Sequence, residues 1–122
     1  MKEYGLAILL EPRIQEPDMH PSIAEKRQSL AALCGRFGVY RLEVFGSAAR
    51  GSDFDTRHSD ADFLVSFSPQ ADHLSRFMDF KEALGALLGY PVDLVDRGAV
   101  EASRNYIRRR SILAEAEPIY GP

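Results

Sequence analysis

The spacing of three short apolar runs constrains this chain more than any other feature. Val39 to Phe45 alternates in polarity and is rich in β-branched and aromatic residues, the pattern of a half-buried strand. Asp62 to Phe67, closed by Ser68-Pro69, and Pro91 to Asp96 have the same character. Between the second and third runs, Asp72 to Leu88 carries Leu74, Phe77, Met78, Leu84, Leu87 and Leu88 as an apolar stripe, with Gly89 to end it. That spacing predicts an amphipathic helix, and such a helix supplies the crossover that parallel strands need. The link between the first two runs has room for at most one helical turn. An antiparallel or mixed pairing stays open there.

The flanks extend this frame. Ser22-x-x-Glu25 reads as a capping box, and Ile23, Arg27, Leu30, Leu33, Cys34 and Phe37 recur at helical spacing up to a stop at Gly38. A further helix is predicted from Ala99 to about Glu115, and a short final strand at Pro118-Ile119-Tyr120. The expected fold is α+β, a small mixed β-sheet flanked by helices. Residues 1–19, broken by Pro12 and Pro17 and without helical period, read as an N-terminal arm in which Tyr4 to Leu10 is a candidate strand. Residues 20–122 read as one domain.

Composition narrows the class. A chain of 122 residues with 45% hydrophobic content can bury a single core. Its formal net charge of -3 provides no global basic field for nucleic acid. One cysteine, Cys34, excludes an internal disulfide. The apolar run Gly5 to Leu10 is too short to span a membrane and lacks a cleavage site. The expectation is a cytoplasmic protein with no membrane association.

The residues that carry chemistry sit at the strand ends. Asp60 and Asp62 are two apart, so on a strand they project from one face. Two carboxylates so close repel each other. A bound divalent cation removes that problem, and oxygen-only donors suit magnesium or manganese; a pair of solvated loop aspartates is the alternative. Asp93 lies between Val92 and Leu94 in a run that otherwise wants burial, where a carboxylate is paired, hydrogen-bonded or metal-bound. If its strand neighbours the second one, it completes a triad; otherwise it is a polar-face residue.

Gly46-Ser47 follows the first strand directly. Glycine lets a ligand approach, and Ser47 opens a possible helical turn whose free amides favour phosphate; a plain capped turn is the other reading. Arg50 could meet phosphate or pair with the acidic loop at Asp53 and Asp55. That loop is not an EF-hand, because Arg57, His58 and Leu64 occupy the positions where the pattern needs Asp or Asn, Gly and Glu. Arg104 with Arg108-Arg109-Arg110 is the one candidate nucleic-acid patch. No aromatic stacking pattern accompanies it, and a solvated helix face accounts for it as well.

With these residues in place, the chain resembles the DNA polymerase β-like nucleotidyltransferase superfamily. More closely, it resembles the minimal nucleotidyltransferases (MNT), small proteins encoded beside a HEPN-domain partner as toxin–antitoxin pairs. The resemblance covers roughly residues 22–120. It is carried by Val44 to Gly51, then Ser59 to Val65 with Asp60-x-Asp62, then Val92-Asp93-Leu94-Val95. One departure is a link slightly longer than the family's usual spacing, twelve residues from Ala48 to Ser59. Ala61 and Phe63 also replace the aliphatic residues more common there.

The resemblance implies the polymerase β-like fold and ATP as substrate, with Gly46, Ser47 and Arg50 on the nucleotide. It implies two magnesium ions held by Asp60, Asp62 and Asp93, which are then the catalytic carboxylates. It also implies an antitoxin that transfers AMP to a tyrosine of a HEPN ribonuclease toxin. A non-catalytic antitoxin that acts by occlusion, and a small-molecule transferase acting on an aminoglycoside-like substrate, are the alternatives. The latter would need a homodimer to build the acceptor cleft.

Overall fold

The structure, a computed structural model, describes residues 19–69 and 73–122. In chain order it forms α1 (Pro21–Ala24), α2 (Arg27–Arg36), β1 (Val39–Phe45), α3 (Ser47–Arg50), β2 (Ala61–Phe67), α4 (His73–Leu88), β3 (Val92–Asp96), α5 (Arg97–Glu101), α6 (Tyr106–Glu115) and β4 (Glu117–Tyr120). The four strands make one sheet in the order β3-β2-β1-β4. β2 and β3 are parallel, with α4 as the crossover. β1 is antiparallel to both β2 and β4, which resolves the pairing left open by the sequence. The fold is α+β with a mixed sheet, as expected.

Strand alternation assigns each side chain to a face. Leu42, Val44, Ala61, Phe63, Val65, Val92 and Leu94 point into the larger core, against Ile23, Leu30, Leu33 and Cys34 from α1 and α2 and Phe80, Leu84 and Leu88 from α4. Phe45, Leu64 and Val95 point to the other face, where Val100 of α5 and Ile112 of α6 cover them. Burial pushes the Cys34 thiol up to about 12, so it is an inert core residue.

Three helical expectations are corrected. The single helix predicted from Ser22 is two helices, and the Ser22–Glu25 capping box does not form. His20 is the cap instead, its Nδ1 accepting from the Ser22 amide at 3.2 Å. The Ser22 hydroxyl is drawn off to His20 Nδ1 at 2.7 Å and to the Tyr90 hydroxyl at 2.8 Å. Lys26 then leaves helical geometry (φ -108°, ψ 19°), with its ammonium on the Leu87 carbonyl at 3.2 Å. Gly38, at φ 67°, ends this region as predicted.

The helix predicted from Ala99 to Glu115 is also broken. The Asn105 side chain accepts from the Arg108 amide at 3.1 Å, and Ser103 Oγ accepts from the Asn105 amide at 3.1 Å. Short polar side chains of this kind compete with helical bonding and restart the helix at a new cap.

The apolar stripe of α4 holds in part: Leu84 and Leu88 are buried and Phe77 and Leu87 pack against the core, but its first turns face differently. The inward line is Arg76, Phe80, Leu84 and Leu88, spaced by four. Leu74 and Met78 are 73% and 54% exposed, on the opposite side. Arg76 is the reason an arginine can begin a buried line. Its guanidinium lies 4.6 Å from the Phe67 ring centroid and donates to the Ser68 carbonyl at 2.9 Å and the Phe37 and Gly38 carbonyls at 3.4 Å. The Phe37 carbonyl belongs to the C-cap of α2, and the Gly38 carbonyl also accepts from the Ser68 amide at 2.9 Å, so Arg76 ties the end of α2 to the end of β2.

The candidate strand Tyr4 to Leu10 and the arm up to residue 18 lie outside the described residues. Met19, which follows, is buried in the larger core. No helix among the described residues is long and apolar enough to cross a membrane.

Candidate active site

The predicted site residues converge at one end of the sheet, where β1 finishes and β2 and β3 begin. Asp62 lies opposite Phe45 across the antiparallel pair and opposite Asp93 across the parallel pair. Because Leu64 and Val95 share the face covered by α5 and α6, Asp62 and Asp93, each two residues earlier, emerge on that same face. Asp60 stands just before β2, two residues back from Asp62. Asp60 and Asp93 are exposed and Asp62 is half-buried.

The crowding has an electrostatic signature. Burial, then the charge of Asp93, then that of Asp60, raise the Asp62 carboxyl from 3.8 to about 6. Arg108 and Arg50 pull it back without cancelling the rise. A carboxylate in this position gains from any cation that neutralises the group, and an all-oxygen donor set fits a hard ion such as magnesium. Among the described residues, no three acidic, histidine or cysteine side chains close into a cage by themselves. An ion held here would need further oxygen ligands from water or a ligand, which magnesium commonly keeps in its shell.

Gly46 faces this group directly. Its backbone (φ 71°, ψ -151°) is one that side-chain-bearing residues rarely adopt. A Cβ at this position would come to 2.6 Å from Asp62 Oδ2. The sequence thus requires glycine here twice, for conformation and for space. Ser47 opens α3, and Gly46 accepts from the amides of both Ala49 and Arg50 at 3.1 Å.

Arg50 does pair with the acidic loop. Its guanidinium meets Asp53 at 3.0 Å and Glu115 of α6 at 2.9 Å, which joins α3 to α6. Asp93 lies beside Asp62, as the triad reading required. The basic cluster divides, and only Arg108 acts on Asp62.

The sequence missed the supports beneath the site. Phe54 is the one large apolar residue in the polar link, and it is buried. Its ring meets His20 edge-on at 5.0 Å and Tyr90 at 5.4 Å. Tyr90 in turn bonds Ser22, and the Pro91 carbonyl next to it accepts from the Ala61 amide at 3.1 Å. The link is thereby pinned to the starts of both carboxylate strands. A lone phenylalanine among polar neighbours was the available signal.

Glu43 was also missed. It is 3% exposed on the carboxylate face, with Arg97 at its carboxylate and Arg41 at 3.5 Å. Arg97 also meets Glu101 at 3.0 Å. A charge alternating with Phe45 inside an apolar strand was its signal.

Known proteins share this fold. Residues 26–117 match the nucleotidyltransferase domain family. The protein adenylyltransferase MntA of Thermococcus cleftensis is 42% identical over 67 residues, which is 55% of this chain and 65% of that protein. A relative from Methanocaldococcus jannaschii is 39% identical over 66 residues, 54% of this chain and 64% of its own length. The chain thus spans just under two thirds of these relatives.

A solved structure described as a minimal nucleotidyltransferase superposes with a TM-score of 0.63 at 35% identity, over 80% of this chain and 92% of that one. The fold also recurs in a complex of a tri-AMPylated HEPN toxin from Shewanella oneidensis with its MNT antitoxin. There the TM-score is 0.54 at 17% identity, over 81% of this chain and 72% of that one. The family match spans most of the described chain, and the minimal nucleotidyltransferase is matched almost end to end: this chain belongs to the nucleotidyltransferase domain family, among its minimal members.

Proposed function

We propose that this chain is an antitoxin that transfers AMP from ATP to a tyrosine hydroxyl of a HEPN-domain toxin, residues 20–122 forming the transferase unit. The observation that carries the reading is the register of Asp62 against Asp93, with Asp60 two residues before and Gly46 pressed against the Asp62 carboxylate. Family membership supplies nucleotidyl transfer as the reaction class. The relatives' names supply the acceptor class: a protein adenylyltransferase, and an MNT antitoxin beside an AMPylated HEPN toxin.

In this reading the tyrosine oxygen attacks the α-phosphorus, the bond from that phosphorus to the bridging oxygen of the β-phosphate breaks, and pyrophosphate departs. The tyrosine proton passes to solvent. Asp60, Asp62 and Asp93 would hold up to two magnesium ions, which when bound neutralise phosphate charge and favour the ionised hydroxyl. Gly46 leaves room for the phosphates to approach the carboxylates, and Ser47 offers a hydroxyl donor beside them. Arg50 holds α3 to its loop and to α6, so the turn keeps its place while the nucleotide enters. The chain forms no covalent intermediate; positioning and charge stabilisation supply the rate.

The test is direct. The purified chain is incubated with its genetically adjacent HEPN partner, ATP and magnesium, and the partner's intact mass is measured. The expected result is a gain in whole adenylyl units that disappears in Asp60→Ala and on chelation by EDTA. No gain, or a gain undiminished in Asp60→Ala, would overturn the reading. Neutralisation of the toxin that survives both changes would point to occlusion instead.

A further inference from the structure

The four arginines of the basic cluster do not act as one patch. Arg109 donates to the Ser103 carbonyl at 2.9 Å and lies 5.8 Å from the Tyr106 ring centroid. Arg110 reaches the Tyr106 hydroxyl at 3.4 Å. Both charges are held on the surface of their own helix. Arg104 precedes the Asn105 cap and is exposed.

Arg108 is placed differently. It stands four residues before Ile112, on the same stripe of α6. Ile112 is buried with Phe45 and Leu64 on the carboxylate face. Helical side chains lean toward the N-terminus, so Arg108 covers the surface one turn beyond Ile112, where Asp62 adjoins Phe45 and Leu64. The field agrees, since Arg108 is the leading positive influence on the Asp62 carboxyl.

Arg50, the other cation acting on Asp62, is committed to Asp53 and Glu115. Among the described residues, no acid comes within ion-pair distance of the Arg108 guanidinium. A positive group that acts on the Asp62 carboxylate, yet has no ion-pair partner among the described residues, is left for an anion that arrives with the substrate. A planar guanidinium matches phosphate oxygens in pairs.

We propose that Arg108 is the residue of this site that grips the polyphosphate tail of the incoming nucleoside triphosphate. This rests on the nucleotidyl-transfer reading above. It also divides the work between arginines, Arg50 fixing the scaffold and Arg108 meeting the ligand. The tail carries more charge than AMP, so Arg108 contributes to holding ATP and little to holding the transferred group.

Calorimetric titration of the whole chain with α,β-methylene-ATP and magnesium, and separately with AMP, tests the assignment. Arg108→Ala is expected to weaken the triphosphate analogue about 10- to 100-fold, the range of a charge-assisted hydrogen bond, and to leave AMP affinity near wild type. Arg108→Lys is expected to recover part of the loss, and Arg110→Ala to bind as wild type. Arg108 is exposed, so its variants should keep the wild-type melting temperature. Unchanged triphosphate affinity in Arg108→Ala, or an equal loss in Arg110→Ala, overturns the assignment. Wild-type protein that binds neither ligand overturns the nucleotidyl-transfer reading itself, an outcome distinct from a silent Arg108.

Discussion

Gly46 lies so close to Asp62 that a single added methyl group would sit 2.6 Å from the carboxylate oxygen. The contact joins the end of β1 to the start of β2 at the point where the nucleotide and the acidic group would meet. Gly46→Ala must therefore both strain a φ of 71° and push Asp62 aside. The strain costs about 1–3 kcal/mol, measurable as a lower urea midpoint. Displacing a reacting group by an ångström costs about 100-fold in rate. Adenylyl transfer by folded Gly46→Ala should thus fall by about that factor, beyond what its stability explains. Wild-type turnover in this variant would show that the close approach has no catalytic meaning.

The raised Asp62 carboxyl makes the metal-free protein sensitive to pH. The folded chain keeps a proton on Asp62 up to about 6, whereas the unfolded chain releases it near 3.8. The stability this provides is complete below 3.8 and is lost as pH rises through 6. Melting temperatures of wild type and Asp62→Asn, taken in EDTA across that window, should diverge as pH rises, with wild type the less stable above it. Magnesium held as proposed would act in the opposite sense, because a ligating carboxylate must be ionised. Its stabilisation of wild type should grow from about pH 5 to about pH 7. A wild-type to Asp62→Asn difference that stays flat with pH would contradict the assigned crowding.

Phe54 sets the position of the link between Ser47 and Asp60. Truncation to alanine removes its contacts with His20 and Tyr90 and opens a cavity beneath the loop. Phe→Ala changes in cores cost about 3–5 kcal/mol, and this one should lie at the lower end because the ring is near the surface. The sharper readout is local: limited proteolysis should cut Phe54→Ala at Arg57 under conditions where wild type resists. Equal cleavage of the two proteins would mean that the loop is held by its polar contacts alone, such as Asp55 with His58 at 2.7 Å.

These supports explain how far the sequence could be read. The strands were legible because each runs in regular alternation between clear breakers, and Val39–Phe45 forms with the bounds expected of it. The placing of the carboxylates beside Gly46 was legible because it depends on spacing of two along a strand and on a turn at its end. The helices were less so. Nothing local says that the Ser22 hydroxyl will prefer Tyr90, 68 residues on, to its own helix. The burial of Arg76 at the start of α4 goes with its three carbonyl partners, all supplied by the turn after α2 and the end of β2. Partners far apart in sequence decided what periodicity left open. Arg108 belongs to the same class, since its tie to Asp62 exists only once α6 is docked.

The Glu43–Arg97 pair gives an asymmetric prediction. Breaking a buried ion pair by removing one partner costs about 3–5 kcal/mol, because a charge is left without compensation. The two partners differ in what remains. Without Glu43, Arg97 still holds Glu101 at 3.0 Å, and Glu101 is exposed enough to share solvent. Without Arg97, Glu43 keeps only Arg41 at 3.5 Å while staying almost fully buried. Arg97→Ala should therefore destabilise the chain more than Glu43→Ala in urea unfolding. The double variant Glu43→Met with Arg97→Met should recover most of the loss, because an apolar pair needs no compensation at that depth. Equal costs for the two single variants, or a double variant no better than the worse single one, would show that the pair acts through packing and not through its charges.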